Sequence, residues 1–426
     1  MAEYRIEGGR RLSGAFQPAG NKNAALPALA ATMLTRAPVT LENMPEIGDI
    51  HTLLRIMQEL GVEAEWTGPG QLRVCAANAD PGSGVHRGLG SAIRGSVLLA
   101  GAMLARFGRA ELPVPGGDFI GRRRLDTHFL ALRSLGANVE VGDPYRLWSQ
   151  GLKGTSIFLD EPSVTGTENA VLAAVTAEGV TVLRNAAQEP HVEDLCRLLA
   201  AMGARIHGIG TNCLTIEGVR ELGGAEYTIG PDHIEIGSMI GLAAATKSDL
   251  AISGVNREQF DPLRIGFTRL GIGLEWKSDL LLACGSHGPV VQADLGGEIP
   301  KIDDGPWPAF PADLTSVALV AATQCRGTVL IHEKMFESRL FFVDHLVAMG
   351  ARIVLCDPHR AVVTGPAALR GARLESPDIR AGMAMVMAAL AASGESRIGR
   401  AEQVERGYAR LDERLRELGA AITRMP

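Results

Sequence analysis

The stretch HLVAMGARIVL, residues 345–355, decides the fold because variants of it occur six times along the chain. An amphipathic helical run ends in a hydrophobic residue and a glycine, and a strand-like run follows at once. One copy would be only a common glycine cap at a helix end. The other five copies are RIMQELGVEAEW (55–66), FLALRSLGANVEV (129–141), LLAAMGARIHG (198–208), FTRLGIGLEW (267–276) and RLRELGAAIT (414–423).

The glycines of these six copies are almost evenly spaced. Successive glycines are 75, 67, 68, 79 and 69 residues apart. Such regularity indicates an internal repeat of about seventy residues. A chain of 426 residues is also too long for one ordinary core, so we expect two domains of three repeats each. The glycines are Gly61, Gly136, Gly203, Gly271, Gly350 and Gly419.

Each repeat contains a second helix upstream, rich in alanine, glycine and serine, which suits a helix packed closely inside a domain. A short β-branched run follows it, such as TVLIHE (328–333). The sequence therefore predicts an α/β fold in which strands and helices alternate. The six apolar helices are expected in 21–35, 93–107, 167–179, 233–248, 312–325 and 379–394.

Composition excludes several classes of function. The net charge of −6 gives no general affinity for nucleic acid or anionic membranes, and 4% aromatic residues leave little for base stacking. The first residues, MAEYRIEGGRR, lack the apolar core of a signal peptide, and the run 381–392 is too short to cross a bilayer. Six widely spaced cysteines argue against a zinc site or a disulfide framework. We expect a cytoplasmic protein without a metal.

The starts of the apolar helices favour anion binding. If the helices of one domain share an orientation, their N-termini converge, and N-termini attract anions. Two such faces opposed across a cleft could enclose a phosphate-bearing substrate. Lys22, Arg94 and Arg380 stand at three starts although cations oppose the helix dipole there, which suggests a ligand. A solvated helix start remains the alternative for Lys22, and Asp313 fits a helix N-cap better than a catalytic base on this evidence.

The loop GGDFIGRRRLDTH (116–128) places an aspartate between two glycines and three consecutive arginines. An arginine cluster is usually a solvated surface. The two glycines, however, let the backbone approach a ligand closely, so the loop is a candidate binding segment. Arg339 and Arg406 lie in corresponding loops of later repeats.

Seven stretches together resemble the enolpyruvyl transferase family, and within it the UDP-N-acetylglucosamine 1-carboxyvinyltransferases. They keep the family's order from residue 21 to residue 420. The stretches are NKNAALPALAAT (21–32), AIRGSVLLAGAMLARFG (92–108), GGDFIGRRRLDTH (116–128), NAAQEPHVEDL (185–195), FPADL (310–314), FESRLFFVDHLVAMGA (336–351) and VERGYARLDERLRELGA (404–420).

The resemblance implies a fold and a reaction. The fold is a two-domain inside-out α/β barrel, each domain three βαβαββ repeats with pseudo-threefold symmetry. Residues 20–231 would form the N-terminal domain and 1–19 with 232–426 the C-terminal domain, with the active site in the cleft between them. The reaction moves the enolpyruvyl group of phosphoenolpyruvate to the 3-hydroxyl of UDP-N-acetylglucosamine and releases phosphate, in the first committed step of peptidoglycan synthesis. It proceeds by addition and elimination through a tetrahedral intermediate, without a cofactor.

The resemblance also assigns residues. Asp118 would be the general acid at C3 of phosphoenolpyruvate and Asp313 the general base. Phosphoenolpyruvate would be bound by Lys22, Asn23, Arg123 and Arg406, with Arg339 and Arg380 as further arginines of the cleft. The residues implied for UDP-N-acetylglucosamine are Arg94, Arg123, Arg124, Leu125, Asp126, Thr127, Ser163, Val164, Thr165, Gly166, Asp313 and Met335.

Two departures from the family pattern, and one choice between its common forms, bear on function. Many members have cysteine where this chain has Asp118, and fosfomycin acts by alkylating that cysteine, so we expect resistance. Arg124 replaces a common proline near the uracil, and PSVTGTEN (162–169) is one of two common forms of the diphosphate loop. Two alternatives stay open: an enolpyruvyl transferase for another nucleotide or nucleoside phosphate, and a non-catalytic paralogue that binds nucleotide sugars. Shikimate 3-phosphate is a less fitting acceptor. The sequence is compatible with a monomer and leaves the oligomeric state open.

Overall fold

The computed structural model describes residues 2–82, 84–118 and 120–426. Short strands alternate with helices along the whole chain. The strands of its first half are β1 Glu3–Glu7, β2 Ser13–Phe16, β3 Val39–Glu42, β4 Glu63–Gly68, β5 Gln71–Cys75, β6 Arg109–Leu112, β7 Asn138–Glu140, β8 Tyr145–Trp148, β9 Ser156–Phe158, β10 Val180–Arg184, β11 Arg205–His207 and β12 Cys213–Glu217.

The second half continues the same alternation. Its strands are β13 Glu226–Thr228, β14 Asp249–Ile252, β15 Gly273–Lys277, β16 Leu280–Cys284, β17 Lys301–Asp303, β18 Gly327–His332, β19 Arg352–Asp357, β20 Arg360–Gly365, β21 Arg373–Glu375, β22 Glu395–Gly399 and β23 Ala421–Met425.

Two kinds of helix separate the strands. The α-helices are α1 Lys22–Thr32, α2 Gly48–Glu59, α3 Arg87–Gly90, α4 Leu99–Phe107, α5 Asp126–Ser134, α6 Val164–Ala174, α7 Pro190–Ala201, α8 His233–Ala245, α9 Asp261–Arg269, α10 Thr315–Ala322, α11 Val343–Ala348, α12 Ile379–Ala391, α13 Ala401–Glu405 and α14 Leu411–Glu417. Short 3-10 turns lie at Arg94–Leu98, Arg257–Gln259, Leu295–Gly297 and Ala312–Leu314.

The chain forms two compact units, each with three sheets. Unit 1 comprises Met1–Ala19, Asp118–Arg122 and Pro231–Pro426, and unit 2 comprises Gly20–Gly117 and Arg123–Gly230. The sheets of unit 1 have the strand orders β21-β22-β1-β23, β15-β16-β14-β2 and β17-β18-β20-β19. Those of unit 2 have the orders β13-β3-β5-β4, β11-β12-β10-β9 and β6-β8-β7. This is the two-domain α/β architecture that the repeats predict, and each unit contains three of them.

The N-terminal strands of the chain complete sheets whose other strands are far away in sequence. Strand β1 pairs antiparallel with both β22 and β23, and β2 pairs parallel with β14. In the same way β13 crosses back to pair parallel with β3 of unit 2. Both described strands of the N-terminal segment therefore find their backbone hydrogen-bond partners in the C-terminal repeats, and the segment belongs to unit 1.

The repeat glycines close the amphipathic helices as the sequence predicts. All six have positive φ, from +79° to +105°, a conformation in which a side chain is strained. The strand of each repeat begins two residues after its glycine, at Glu63, Asn138, Arg205, Gly273, Arg352 and Ala421.

The alanine-rich helices form the interior. In unit 1 every residue of α8 and α10 is buried. Gly241 of α8 faces Val317 of α10 so closely that an added Cβ would lie 2.5 Å from Cγ1 of Val317. Small side chains are therefore what allows these helices to approach one another, and large ones would force them apart.

The segment Asp118–Arg122 packs with unit 1, whereas the sequence prediction kept it in the N-terminal domain. The backbone N–H of Ser338 donates to the carbonyl oxygen of Ile120 at 3.2 Å. The N–H of Arg122 donates to Oε2 of Glu337, also at 3.2 Å. These bonds join the loop to residues more than two hundred positions later, a relationship that local sequence patterns do not contain.

Candidate active site

Lys22 is the first residue of α1, and its side chain is buried. Its Nζ lies 2.7 Å from Oδ2 of Asp49 in α2, and the two side chains are 9% and 7% exposed. Asn21 caps the helix by accepting hydrogen bonds from the backbone N–H groups of Asn23 and Ala24. The alternative of a solvated lysine is therefore wrong. Asp49 offsets the cost of burying the ammonium at the positive end of a helix.

Arg94 organises the backbone of the arginine loop in unit 2. It opens the turn Arg94–Leu98, and its Nη2 donates to the carbonyl oxygens of Arg123 and Arg124 at 2.9 and 3.1 Å. Burial and the neighbouring charge of Arg123 lower the pKa of Arg94 to about 10. Its buried Nε has no hydrogen-bond partner among the described residues. Arg94 thus fixes the loop that carries Arg123 while retaining an unused donor.

A pocket of about 400 Å³ opens beside this loop in unit 2. Its volume is in the range of small-ligand sites. It combines three arginines with an apolar wall in which the rings of Phe129 and Tyr145 lie 5.2 Å apart at 59°. Such a surface suits a planar base joined to an anionic group. The lining residues are Arg94, Val114, Pro115, Arg123, Arg124, Leu125, Asp126, Phe129, Val141 and Tyr145.

The two segments predicted to bind the nucleotide sugar lie against each other in unit 2. Thr127 donates a hydrogen bond from Oγ1 to Oδ1 of Asp160 at 2.6 Å. Its methyl carbon is 3.1 Å from the position that a Cβ on Gly166 would occupy. Ser163 caps α6 by accepting from the N–H of Gly166 at 3.2 Å. The segments 123–127 and 163–166 are therefore adjacent, and they meet at the N-terminus of α6.

Asp118 and Arg406 form an ion pair in unit 1. The distance from Nη1 of Arg406 to Oδ1 of Asp118 is 2.7 Å, and the side chains are 20% and 16% exposed. The same Nη1 donates to Oε1 of Gln403 at 3.0 Å. The proposed acid and one proposed phosphate ligand are thus in direct contact.

Asp313 is held by two arginines. Arg339 donates from Nη2 to Oδ1 at 2.7 Å, and Arg380 donates from Nε to Oδ2 at 2.8 Å. The arginine side chains are 3% and 6% exposed, whereas that of Asp313 is 28% exposed. The expected N-cap role is wrong: Asp313 lies inside the turn Ala312–Leu314, and the N-cap residue of that turn is Pro311. Its carboxylate is oriented by buried cations and still reaches the surface.

Buried acids surround the same arginines. Asp378 caps α12 and lies 4.0 Å from Nη1 of Arg339. Burial by itself lowers the pKa of Arg339, but the charges of Asp313, Asp378 and Glu333 raise it above its ordinary value. Burial and the charge of Asp304 raise the pKa of Glu333 to about 9. The arginines that orient Asp313 therefore stay charged.

Comparison with known proteins decides the family. A family model described as EPSP synthase (3-phosphoshikimate 1-carboxyvinyltransferase) matches residues 6–415. The chain is 56% identical over 429 residues to UDP-N-acetylglucosamine 1-carboxyvinyltransferase of Bradyrhizobium diazoefficiens, covering 100% of this chain and 98% of that protein. It is 54% identical to the protein of the same name from Treponema denticola, with 99% of each chain covered. The chain belongs to the EPSP synthase family.

Solved structures of this family share the fold. The enolpyruvyl transferase NikO from Streptomyces tendae matches with a TM-score of 0.87 and 25% identity, covering 100% of this chain and 99% of that chain. An EPSP synthase from Acinetobacter baumannii matches with a TM-score of 0.74 at 19% identity over the full length of both chains. The second likeness concerns the fold alone.

Several residues of this EPSP synthase family member that orient the candidate site escaped the sequence analysis. Asp378 had a readable signal, because an aspartate directly before IRAGM fits a helix cap. Asp49 had none, since its partner Lys22 is distant in sequence. Glu333 had none because no local pattern shows that it is buried beside Arg339. His128 and Asn169 lie within recognised stretches, but the 2.9 Å contact of their side chains is a tertiary one that no local pattern shows. Met335 is 41% exposed and donates its backbone N–H to Oδ2 of Asp304 at 3.3 Å.

The described residues contain no group of three or more histidine, cysteine, aspartate or glutamate side chains that could hold a metal ion. Among the helices described for this chain, none is long and apolar enough to span a membrane. The cysteines are free thiols, with Cys196 and Cys325 buried.

Proposed function

We propose that this protein transfers the enolpyruvyl group of phosphoenolpyruvate to the 3-hydroxyl of UDP-N-acetylglucosamine and releases phosphate. The observation that carries the proposal is the full-length similarity to proteins of that activity, at 56% identity. Acid, base and anion-binding positions are filled by competent side chains. The protein would then catalyse the first committed step of peptidoglycan synthesis.

Asp313 is proposed as the base that takes the proton of the sugar hydroxyl. A base must present a charged carboxylate at a fixed position within hydrogen-bond reach of that proton. Arg339 and Arg380 hold both carboxylate oxygens at 2.7 and 2.8 Å, and the partial exposure of Asp313 leaves it open to a ligand. The attacking oxygen then adds to C2 of phosphoenolpyruvate.

Asp118 is proposed as the acid that protonates C3 while the C2–O bond forms. The resulting tetrahedral intermediate loses a C3 proton and phosphate to give the enol ether product. Lys22, Asn23, Arg123 and Arg406 are proposed to bind phosphoenolpyruvate. Guanidinium groups fit that role because they meet phosphate or carboxylate through two N–H groups at once.

The pocket beside the arginine loop is proposed to take the nucleotide of the acceptor. Its aromatic and apolar wall would face the uracil, and Arg94, Arg123 and Arg124 would face the ribose and phosphates. Nε of Arg124 lies 3.5 Å from Oδ2 of Asp126, and its Nη2 lies 3.9 Å from Oδ2 of Asp160. These acidic neighbours orient the guanidinium group. The remaining proposed ligands of the nucleotide sugar are Leu125, Asp126, Thr127, Ser163, Val164, Thr165, Gly166, Asp313 and Met335.

We propose that the protein acts in the cytoplasm, with small molecules rather than nucleic acid or membranes as its partners. The reaction as written consumes no redox equivalent and needs no cofactor.

The test is phosphate release from phosphoenolpyruvate with three acceptors measured side by side: UDP-N-acetylglucosamine, UMP and shikimate 3-phosphate. We expect release with the nucleotide sugar only, and its loss in Asp118→Ala. Release with UMP or shikimate 3-phosphate alone would assign another acceptor. No release with any acceptor, together with calorimetric binding of the nucleotide sugar, would make the protein a binding paralogue.

A further inference from the structure

His128 lies behind the proposed diphosphate loop without being part of it. It belongs to α5, it is 1% exposed, and both ring nitrogens have polar neighbours. Nδ1 is 2.9 Å from Nδ2 of Asn169, and Nε2 is 3.0 Å from Oγ1 of Thr165. The histidine therefore connects a buried amide to a hydroxyl on the first turn of α6.

The amide orientation of Asn169 is fixed by two other bonds. Oδ1 accepts from the backbone N–H of Gly101 at 2.7 Å, and Nδ2 donates to the carbonyl oxygen of Val97 at 3.0 Å. Rotating the amide by 180° would place Oδ1 against the carbonyl oxygen of Val97 and the Nδ2 hydrogens against the N–H of Gly101. Nδ2 therefore faces His128, and because an amide nitrogen cannot accept, it donates its second hydrogen to Nδ1.

This donation sets the tautomer of the ring. Since Nδ1 accepts a hydrogen, the neutral imidazole carries its proton on Nε2. Burial and the charge of Arg94 lower the pKa of His128 to about 3, so the ring is neutral at physiological pH. Nε2–H therefore donates to Oγ1 of Thr165.

The hydroxyl of Thr165 is consequently left with a hydrogen to donate. Its oxygen already accepts from His128, and among the described residues no other hydrogen bond of that side chain is found. Thr165 is half-buried, whereas His128 and Asn169 are buried. The free hydrogen can thus reach an acceptor outside the protein.

We infer that His128 is a positioning residue that fixes the Thr165 hydroxyl as a hydrogen-bond donor to a diphosphate oxygen of the nucleotide sugar. The inference rests on the proposed function, because it assumes that residues 163–166 face the diphosphate. A hydroxyl without a fixed partner can either donate or accept. A hydroxyl that accepts from an imidazole N–H keeps its own hydrogen available to donate, and a hydrogen bond donated to an anionic oxygen is stronger than one donated to a neutral acceptor.

The test compares the affinities of UDP and UDP-N-acetylglucosamine, measured by calorimetry, in a set of matched variants. Thr165→Val and His128→Leu remove the donor and its support. We expect each variant to raise the dissociation constants of both ligands about 10-fold to 100-fold, which corresponds to the loss of one hydrogen bond to a charged group. In steady-state kinetics the loss should appear mainly in the KM for the nucleotide sugar, because the change concerns the binding of that ligand.

Two conservative variants separate positioning from folding. Thr165→Ser keeps the hydroxyl, and His128→Gln can donate from Nε2 and accept from Asn169 through Oε1, so both should retain most of the affinity. The double variant His128→Leu/Thr165→Val should bind no more weakly than the worse single variant, because both remove the same bond. His207→Gln, at a side chain 68% exposed, is the control for loss of a histidine.

The outcomes are distinct. Wild-type protein that neither binds UDP-N-acetylglucosamine nor releases phosphate would overturn the proposed function itself. Wild-type turnover combined with unchanged affinity in Thr165→Val would overturn only the role of Thr165 and His128. A further contrary result is that His128→Leu lowers only the urea midpoint of unfolding, while the folded variant binds the nucleotide sugar as tightly as wild type. That result would make His128 a structural residue and contradict the inference.

Discussion

Nη1 of Arg406 lies 2.7 Å from Oδ1 of Asp118, so the acid proposed for C3 is paired with an arginine proposed for phosphate. In this structure the carboxylate of Asp118 occupies a donor of Arg406 that the phosphate would use. Binding of phosphoenolpyruvate must therefore break or share this ion pair. The same event would release Asp118 from its counter-charge and free its carboxyl group for the proposed proton transfer.

Asp118→Ala separates these two effects. We expect kcat to fall about 10²-fold to 10⁴-fold, the ordinary contribution of a general acid. The dissociation constant of phosphoenolpyruvate should instead fall about threefold to tenfold, since a competing ion pair of roughly 1 kcal/mol is removed. Steady-state kinetics and equilibrium binding measure the two quantities. Weaker binding in Asp118→Ala would contradict the competition.

Fosfomycin resistance follows from the side chain at position 118. A carboxylate is a far weaker nucleophile toward an epoxide than a thiolate, so the wild-type enzyme should lose no activity during incubation with the drug. Asp118→Cys should stay active and become sensitive. Mass spectrometry after incubation checks both proteins, and a covalent adduct on wild-type Asp118 would disprove the expectation.

Asp313→Asn removes the proposed base and leaves a neutral partner for two buried guanidinium groups. We expect kcat to fall about 10²-fold to 10⁴-fold. The free energy of unfolding should fall by about 3 kcal/mol, because Arg339 and Arg380 are then buried without their shared carboxylate. Urea denaturation beside kinetics tests both parts. Full activity in this variant would rule Asp313 out as the base.

Glu333 predicts a pH dependence of stability. Burial and Asp304 raise its pKa from 4.5 to about 9 in the folded protein, so the unfolded chain loses the proton first as the pH rises. The contribution of Glu333 is complete below pH 4.5 and is lost progressively up to about pH 9. Glu333→Gln removes this loss.

Urea denaturation of Glu333→Gln and wild type between pH 5 and pH 8 measures the effect. The variant should gain stability relative to wild type by about 1.4 kcal/mol per pH unit at most, the free energy of one proton. A difference between the two proteins that does not change with pH would mean that Glu333 is charged in the folded state.

The repeat made the architecture predictable. Gly61 and its five counterparts predict the end of a helix and the start of a strand. In the structure a helix ends before each of these glycines and a strand begins after it. Local patterns also marked Lys22 and Arg94 as unusual cations at helix starts. In both cases the signal was a residue type that conflicts with its local position, and the conflict pointed to tertiary partners.

The pairs that orient the candidate site could not be read in the same way. Lys22 forms an ion pair with Asp49, and Arg406 forms one with Asp118. Asp313 pairs with two arginines, one 26 and one 67 positions away. Such distances are set by how the repeats pack, and no spacing rule encodes them. For the same reason Asp313 looked like a helix cap: its local context allows a cap, and only the buried arginines draw its carboxylate elsewhere.

The most direct test of the proposed chemistry is to run the reaction in deuterium oxide and examine C3 of the enolpyruvyl product by proton NMR. Protonation of C3 by Asp118 followed by loss of one C3 proton should introduce solvent deuterium into the vinyl group. We expect incorporation only with UDP-N-acetylglucosamine present, and neither product nor deuterium with Asp118→Asn. Product formed by the wild-type enzyme with no deuterium at C3 would contradict the addition and elimination route.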